Sequence, residues 1–255
     1  MLLTIDIGNT NITLGIFEGS QLKAHWRLAS DPARMPDEYG LQLLGLFRSS
    51  DLRPEELSDV VLASVVPPLT SHIQEACQDY LSKPSIIIES QHCAPIVNRY
   101  DPPQAVGIDR LVNAVTVEKE YGLPACVVDF GTATTFDAID RGYNYLGGAI
   151  APGVGISLDA LVSHTAKLPK VDLQLPEHVI GRNTTQAMQS GLLWGYIAMV
   201  EGMVARFRAE LGEDLQVIAT GGLAALVGSH TASINAIDPW LTLEGLYLIW
   251  ERMHP

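Results

Sequence analysis

The sequence predicts a two-lobed α/β fold that uses one strand-turn-strand motif twice. Two observations predict it. The segments Asp6-Ile7-Gly8-Asn9-Thr10-Asn11 and Asp129-Phe130-Gly131-Thr132-Ala133-Thr134 share a signature, each where an apolar β-type run reaches a tight turn. Asp129 follows Asp6 by 123 positions, close to half of the 255-residue chain, the offset that duplication of a lobe produces.

The elements follow in order from period and punctuation. Leu2 to Ile7, Ile12 to Phe17 and Gln21 to Leu28 read as three short strands of an antiparallel meander. Tyr39 to Arg48 has helical spacing, and Val60 to Val66 is a buried-type strand stopped by Pro67-Pro68. A helix over Leu69 to Leu81 and a strand over Ser85 to Ile88 continue the α/β alternation. Ser90 to Gly107, with Pro95, Pro102 and Pro103, reads as a loop between halves, and Asp109 precedes a periodic helix from Leu111 to Glu120. The pattern then restarts with strands Ala125 to Phe130, Thr135 to Ile139 and Tyr145 to Ala151, and Pro152-Gly153-Val154-Gly155 turns into a helix. Thr184 to Leu211 is a long helix and Gln216 to Thr220 a strand. Gly221-Gly222 turns into a short helix, and Trp240 to Met253 is a terminal helix. The expected lobes are 1–115 and 116–255, the second carrying a dimerisation helix. The long helix is apolar on more than one stripe, so burial within its lobe and a homodimer interface are equally consistent with it.

A formal charge of −13 disfavours nucleic acid and anionic membranes as partners, because neutralising phosphates takes clustered Lys and Arg. The three cysteines are widely spaced and lack C-x-x-C patterning, which points to reduced thiols in a cytoplasmic setting and to no zinc site. Met1-Leu2-Leu3-Thr4-Ile5-Asp6 has no basic n-region, so no secretory signal is expected. The apolar region from Gly191 to Val204 is interrupted by Glu201 and falls short of the ~20 residues that span a bilayer.

An acidic residue followed by glycine and small polar residues at a strand turn can approach a phosphate closely and orient a metal-bound water. A single such turn is as well explained as a hairpin with Asx-type residues. Two of them suggest lobes closing on a nucleotide. No G-x-x-x-x-G-K-[ST] occurs, which excludes a P-loop kinase on motif grounds. Asp109 before a helix would ordinarily be an N-cap, as would Thr184, and Arg110 an exposed ion-pair partner. Asp129 could equally cap local amides, although Thr132, Thr134 and Thr135 clustering beside it is then left unexplained.

Taken together, Asp6-Ile7-Gly8-Asn9-Thr10, Gly107-Ile108-Asp109-Arg110, Asp129-Phe130-Gly131-Thr132-Ala133-Thr134 and Gly181-Arg182-Asn183-Thr184 resemble the type III pantothenate kinases, in the family's order and over nearly the whole chain. The resemblance implies a duplicated ribonuclease H-like, actin-like ATPase fold, with mixed sheets flanked by helices. It implies ATP-dependent phosphorylation of pantothenate to 4′-phosphopantothenate, a homodimer, and dependence on Mg2+ and on K+ or NH4+. Carried over by position, it makes Asp109 the catalytic base. It gives Asp6, Ile7, Gly8, Asn9, Thr10, Asn11, Ile12, Thr13 and Thr132 to ATP. Tyr100, Gly107, Ile108, Asp109, Arg110 and Thr184 go to pantothenate, with Thr184 reaching the site of the other subunit, and Asp129 goes to the monovalent cation. Ile108 stands where the family usually carries a small residue; its bulk narrows the pocket or faces the core. The resemblance leaves open whether Gly221 and Gly222 contact adenine and what His164 does. Two other functions are compatible with these residues: a non-catalytic regulatory protein of the same fold, and a kinase for another small hydroxyl substrate.

Overall fold

The computed structural model describes residues 1–254. It divides the chain into two compact units, Met1–Thr116 with the segment from Leu241 onward, and Val117–Trp240.

In the first unit, β1 (Leu2–Ile7), β2 (Asn11–Glu18), β3 (Gln21–Ala29), β4 (Asp59–Ser64) and β5 (Ser85–Ile87) form a sheet in the order β3-β2-β1-β4-β5. The first three are the expected antiparallel meander, and β1 and β4 run parallel with Ile7 beside Ser64. Parallel strands covered on both faces read as continuous apolar runs, as the Val-Val-Leu-Ala stretch of β4 does. Leu3, Ile5 and Ile7 point into a core with Tyr39, Leu43 and Phe47 of α1 (Pro36–Ser49) and Leu69, Ile73 and Cys77 of α2 (Pro67–Leu81). The opposite face carries Thr4, whose hydroxyl bonds the Gly15 carbonyl at 3.2 Å.

Both helix starts lie earlier than the periodicity placed them. Each opens on proline, whose missing N–H costs nothing in the first turn, so Pro67 begins α2 as well as ending the strand before it. The helix α3 (Ile108–Glu120) also starts early, placing Asp109 inside the first turn instead of before it. Within the segment expected to be loop, Val97–Asn98 forms the two-residue strand β6.

In the second unit, β7 (Ala125–Phe130), β8 (Ala133–Ile139), β9 (Asn144–Pro152), β10 (Gln216–Gly221) and β11 (Ala236–Ile237) follow the order β11-β10-β7-β8-β9. The antiparallel β7-β8-β9 again has a parallel neighbour, β10, on the far side of its first strand. One face packs against α4 (Val154–Ser163), α5 (Thr184–Leu211) and α6 (Ala224–Gly228), through Val128, Phe130 and Phe136 against Val154, Leu158, Leu192, Tyr196 and Val227. The strap from 165 to 183 lies along α5, held by Gln189 Nε2 to the Asp172 carbonyl at 2.9 Å and Trp194 Nε1 to the Pro176 carbonyl at 3.1 Å.

The terminal helix α7 (Leu241–Met253) lies in the first unit, whereas the expected lobe boundary put it with the second. Three contacts fix it there. Tyr247 stacks on Phe17 at 5.0 Å between centroids, Trp250 Nε1 donates to Asp59 at 3.1 Å, and Thr116 Oγ1 donates to the Leu241 carbonyl at 2.8 Å. At the crossing with α3, a β-carbon on Gly245 would stand 2.5 Å from the Val112 carbonyl, so glycine is what admits this approach. Among the described residues, no helix is long and apolar enough to cross a membrane.

Candidate active site

In the first unit the polar candidates gather where the parallel strands β1 and β4 reach their carboxyl ends, the usual place for a ligand on an open α/β sheet. The turn between β1 and β2 closes with the Gly8 N–H on the Asn11 carbonyl at 3.0 Å. Ser30 braces it from the end of β3: its hydroxyl donates to the Gly8 carbonyl at 2.6 Å, and its N–H to the Thr10 carbonyl at 2.9 Å. That brace had no signal in the sequence, since a serine after a strand is unremarkable. Asn9, Thr10 and Asn11 are exposed, and Asp6 pairs in register with Thr13. Ile7 and Ile12 are fully buried in the core, so a ligand can meet only their backbone.

The Gly107–Arg110 segment reaches the same end of the sheet through Val65. The Val65 N–H bonds the Ile7 carbonyl at 3.1 Å, and a β-carbon on Gly107 would stand 3.2 Å from Val65 Cγ1. Asp109 Oδ1 accepts the Arg110 N–H at 2.9 Å, and the same N–H lies 3.2 Å from the Gly107 carbonyl. Asp109 is therefore not an N-cap, but a first-turn carboxylate next to the positive end of α3. Tyr100 is half-buried, with its N–H on Asn98 Oδ1 at 3.0 Å.

In the second unit, Asp129 is the last residue but one of β7, in register with Thr220 of β10 and Thr135 of β8. The following turn presents Thr132 to solvent, and its carbonyl accepts the Gly153 N–H at 3.1 Å. A β-carbon at Gly153 would stand 2.3 Å from that carbonyl, so this glycine sets how closely α4 begins to the turn. The other two threonines are structural. Thr134 is buried against the Tyr196 hydroxyl at 3.2 Å, and Thr135 donates to buried Asp137 at 2.9 Å, which also accepts from Tyr145 at 2.6 Å. Tyr196 further donates to the Pro152 carbonyl, and burial raises its phenol above the ordinary value. Of the three residues clustered beside Asp129, Thr132 is the exposed one.

Gly221 answers to Asp129. At φ +89° it lies so close that a β-carbon would stand 2.4 Å from Asp129 Oδ1 and 2.7 Å from the Phe130 carbonyl, while Gly222 would meet nothing. Chain geometry at Gly221 thus has a specific object, a carboxylate 92 positions earlier. His164 is the exposed residue that ends α4, with its N–H on the Ala160 carbonyl at 3.0 Å.

At the start of α5 the cap is Asn183, whose side chain accepts the Gln186 N–H at 2.9 Å, and Gln186 in turn accepts the Arg182 N–H at 3.0 Å. Thr184 is the first helical residue, exposed and not used as the cap. It lines a groove of about 740 Å³ with Leu161, Leu168, Arg182, Met188 and Gly191.

The structure resembles a solved protein from Campylobacter jejuni named for the Baf family of transcriptional activators, at TM-score 0.65 and 19% identity over 98% of both chains. It also resembles an inorganic polyphosphate/ATP-glucomannokinase from Arthrobacter sp. strain KM, at TM-score 0.51 and 14% identity over 99% of both. At those identities the likeness establishes the fold, the actin-like ATPase and sugar kinase architecture. In sequence, a type III pantothenate kinase from Moorella thermoacetica is 51% identical over 252 residues, 99% of each chain. Since the type III pantothenate kinase family model matches residues 2–206 as well, the chain belongs to that family.

Proposed function

We infer that the protein transfers the γ-phosphoryl group of ATP to the hydroxyl of pantothenate, forming 4′-phosphopantothenate for coenzyme A synthesis. The observation that carries this reading is identity at half of all positions, over the full chain, to a relative of that name. The site residues add a chemical argument. Phosphoryl transfer needs little covalent work from a protein, only alignment, charge stabilisation and an acceptor for the hydroxyl proton.

In this reading the braced turn of Gly8, Asn9 and Thr10 binds ATP phosphates through backbone and side-chain donors, and Thr132 is a further ATP contact. Tyr100 and Gly107–Arg110 bind pantothenate, Asp109 accepts its proton, and Arg110 supplies a permanent positive charge for an anionic substrate. Asp6 fits a hydrated Mg2+, since that ion keeps several waters and needs only one or two carboxylates. Asp129 fits K+ or NH4+: it offers a hard oxygen donor, held against a glycine whose side-chain space it occupies. When bound, these cations neutralise phosphate charge that P-loop enzymes meet with basic side chains.

A homodimer through α5 completes the proposal. Ala187, Gly191, Gly195, Ala198 and Ala205 form an exposed line of small residues on one side of the helix, and β-carbons at Gly191 and Gly195 would meet nothing within 4 Å. Such a line admits a second helix closely, and it carries Thr184 at its start toward the partner's pantothenate. The charge of −13 fits a cytoplasmic enzyme without nucleic-acid or membrane partners. The test is a coupled ADP-release assay with pantothenate, run with potassium and with lithium in its place. ADP release that requires both pantothenate and potassium is expected; ADP release unaffected by omitting pantothenate, or none at all, would overturn the reading.

A further inference from the structure

Of the two Asp109 carboxylate oxygens, Oδ1 is placed by its neighbours. It accepts the Arg110 N–H at 2.9 Å, and it lies over Gly107 so closely that a β-carbon there would stand 2.4 Å away. The next atoms around that missing β-carbon are Val65 Cγ1 at 3.2 Å and Asp109 Cγ at 3.4 Å, and none of the three is backbone. Nor is Gly107 among the glycines in the left-handed region of φ. Backbone freedom therefore does not demand glycine here. What glycine supplies is the space that the Asp109 oxygen fills.

We propose that Gly107 is a positioning residue for Asp109, seating Oδ1 on the Arg110 N–H and so fixing the orientation of the carboxylate that takes the proton from the pantothenate hydroxyl. This rests on the reading of Asp109 as the base. The hydroxyl oxygen bonds to the γ-phosphorus, the bond from that phosphorus to the β–γ bridging oxygen breaks, and ADP leaves with the electron pair. The proton goes to the Asp109 carboxylate, which later returns it to solvent. A β-carbon at position 107 expels Oδ1 from its seat and turns the carboxylate. Because proton transfer depends on alignment within a few tenths of an ångström, the effect falls on turnover. A residue that only contacts pantothenate through its backbone would act on substrate binding instead.

The experiment measures kcat and both KM values for Gly107→Ala, for Asp109→Asn and for the double variant. For Gly107→Ala the expected kcat is lower by about 10- to 100-fold, with KM for pantothenate and for ATP within about twofold of the unsubstituted enzyme. In the double variant, kcat should fall no further than in Asp109→Asn, because Gly107 acts through that carboxylate. Unchanged kcat in Gly107→Ala, a raised KM at constant kcat, or additive losses in the double variant would each overturn the proposal. Full turnover by Asp109→Asn would instead overturn the base reading beneath it. If Gly107→Ala does not fold, Gly107→Ala with Asp109→Ala, which removes the displaced oxygen, should fold; failure of that pair too would show that Val65 packing fixes the glycine and would sink the seat.

Discussion

Asp129 and Gly221 are in contact across the parallel pair β7 and β10: the carboxylate Oδ1 occupies the space where a β-carbon on Gly221 would stand 2.4 Å away. Two constraints coincide at this glycine. Its φ of +89° is a region that L side chains rarely adopt, and its neighbours Asp129 and Phe130 leave no room. Gly221→Ala should cost about 2–4 kcal/mol, the sum of left-handed strain and overpacking. Urea unfolding monitored by circular dichroism reads this loss. The same variant should bind potassium more weakly, seen as a smaller potassium-dependent rise in Tm, with a lithium control. Native stability in Gly221→Ala would mean that the segment relaxes around the new carbon.

Asp109 carries a different expectation, because it is half-buried in the first turn of α3 and not its N-cap residue. Asp109→Asn preserves its shape, so the unfolding midpoint should move by less than about 0.5 kcal/mol. Turnover should fall by about 10²- to 10⁴-fold, the usual worth of a positioned general base. Steady-state kinetics on a variant of verified Tm separates these outcomes.

The two residues at the start of α5 should divide stability from function. Asn183→Ala removes the side chain that accepts the Gln186 N–H and should cost about 1 kcal/mol. Thr184→Ala removes an exposed hydroxyl that the cap does not use, so stability should hold while KM for pantothenate rises. A Thr184→Ala protein as destabilised as Asn183→Ala would return the capping role to the threonine.

How far the sequence reaches can be argued from the same residues. β1, β7 and α5 lie where period and punctuation put them, since the two strands are short, mostly apolar segments running into glycine turns and the helix keeps its period over 28 residues before Gly212. The two-residue strands β6 and β11 carry no period and could not be read. The position of α7 was also hidden, because an amphipathic helix shows which face is buried but not against what. Phe17, Asp59 and Thr116 decide that, and they are remote in sequence. At the candidate site the motif residues were legible as a set, whereas their division of labour was not. The clustering of Thr134 and Thr135 beside Asp129 has its explanation in Tyr196 and Asp137, which engage their hydroxyls. Gly221 reads in the sequence as a simple turn, whereas its close contact is with Asp129, remote along the chain.

The three thiols give a pH prediction. Burial pushes Cys77 and Cys93 from the ordinary 9.0 up to about 12. Burial also raises Cys126, the nearby Asp137 charge adding to the effect. These are acids held neutral in the fold, so the folded chain keeps protons that the unfolded chain loses. Their contribution is complete below pH 9 and is lost as pH rises toward 12, by about 1.4 kcal/mol per pH unit for each thiol. Unfolding free energy measured between pH 8 and 10.5 should fall on this account. A thiol reagent at pH 8 should find none of the three cysteines in the native protein and all three in denaturant. Fast labelling of Cys126 in the native state would contradict its full burial.

Gly195 offers the sharpest test of the dimer because its two possible surroundings predict opposite signs. If the exposed side of α5 stays in water, Gly195→Ala replaces a flexible helical residue with the best helix former and should stabilise the chain by up to about 1 kcal/mol. Where a second helix lies against that side, the added methyl group instead holds two backbones apart, and a larger residue does so more strongly. Gly195→Leu should therefore leave the protomer folded, since a β-carbon there meets nothing within 4 Å. Sedimentation velocity should find the unsubstituted chain as a dimer and the variant as a monomer. The monomer should also have a raised KM for pantothenate, because Thr184 at the start of the same helix is assigned to the partner's site. A Gly195→Leu protein that remains dimeric would place the interface on another surface of the second unit.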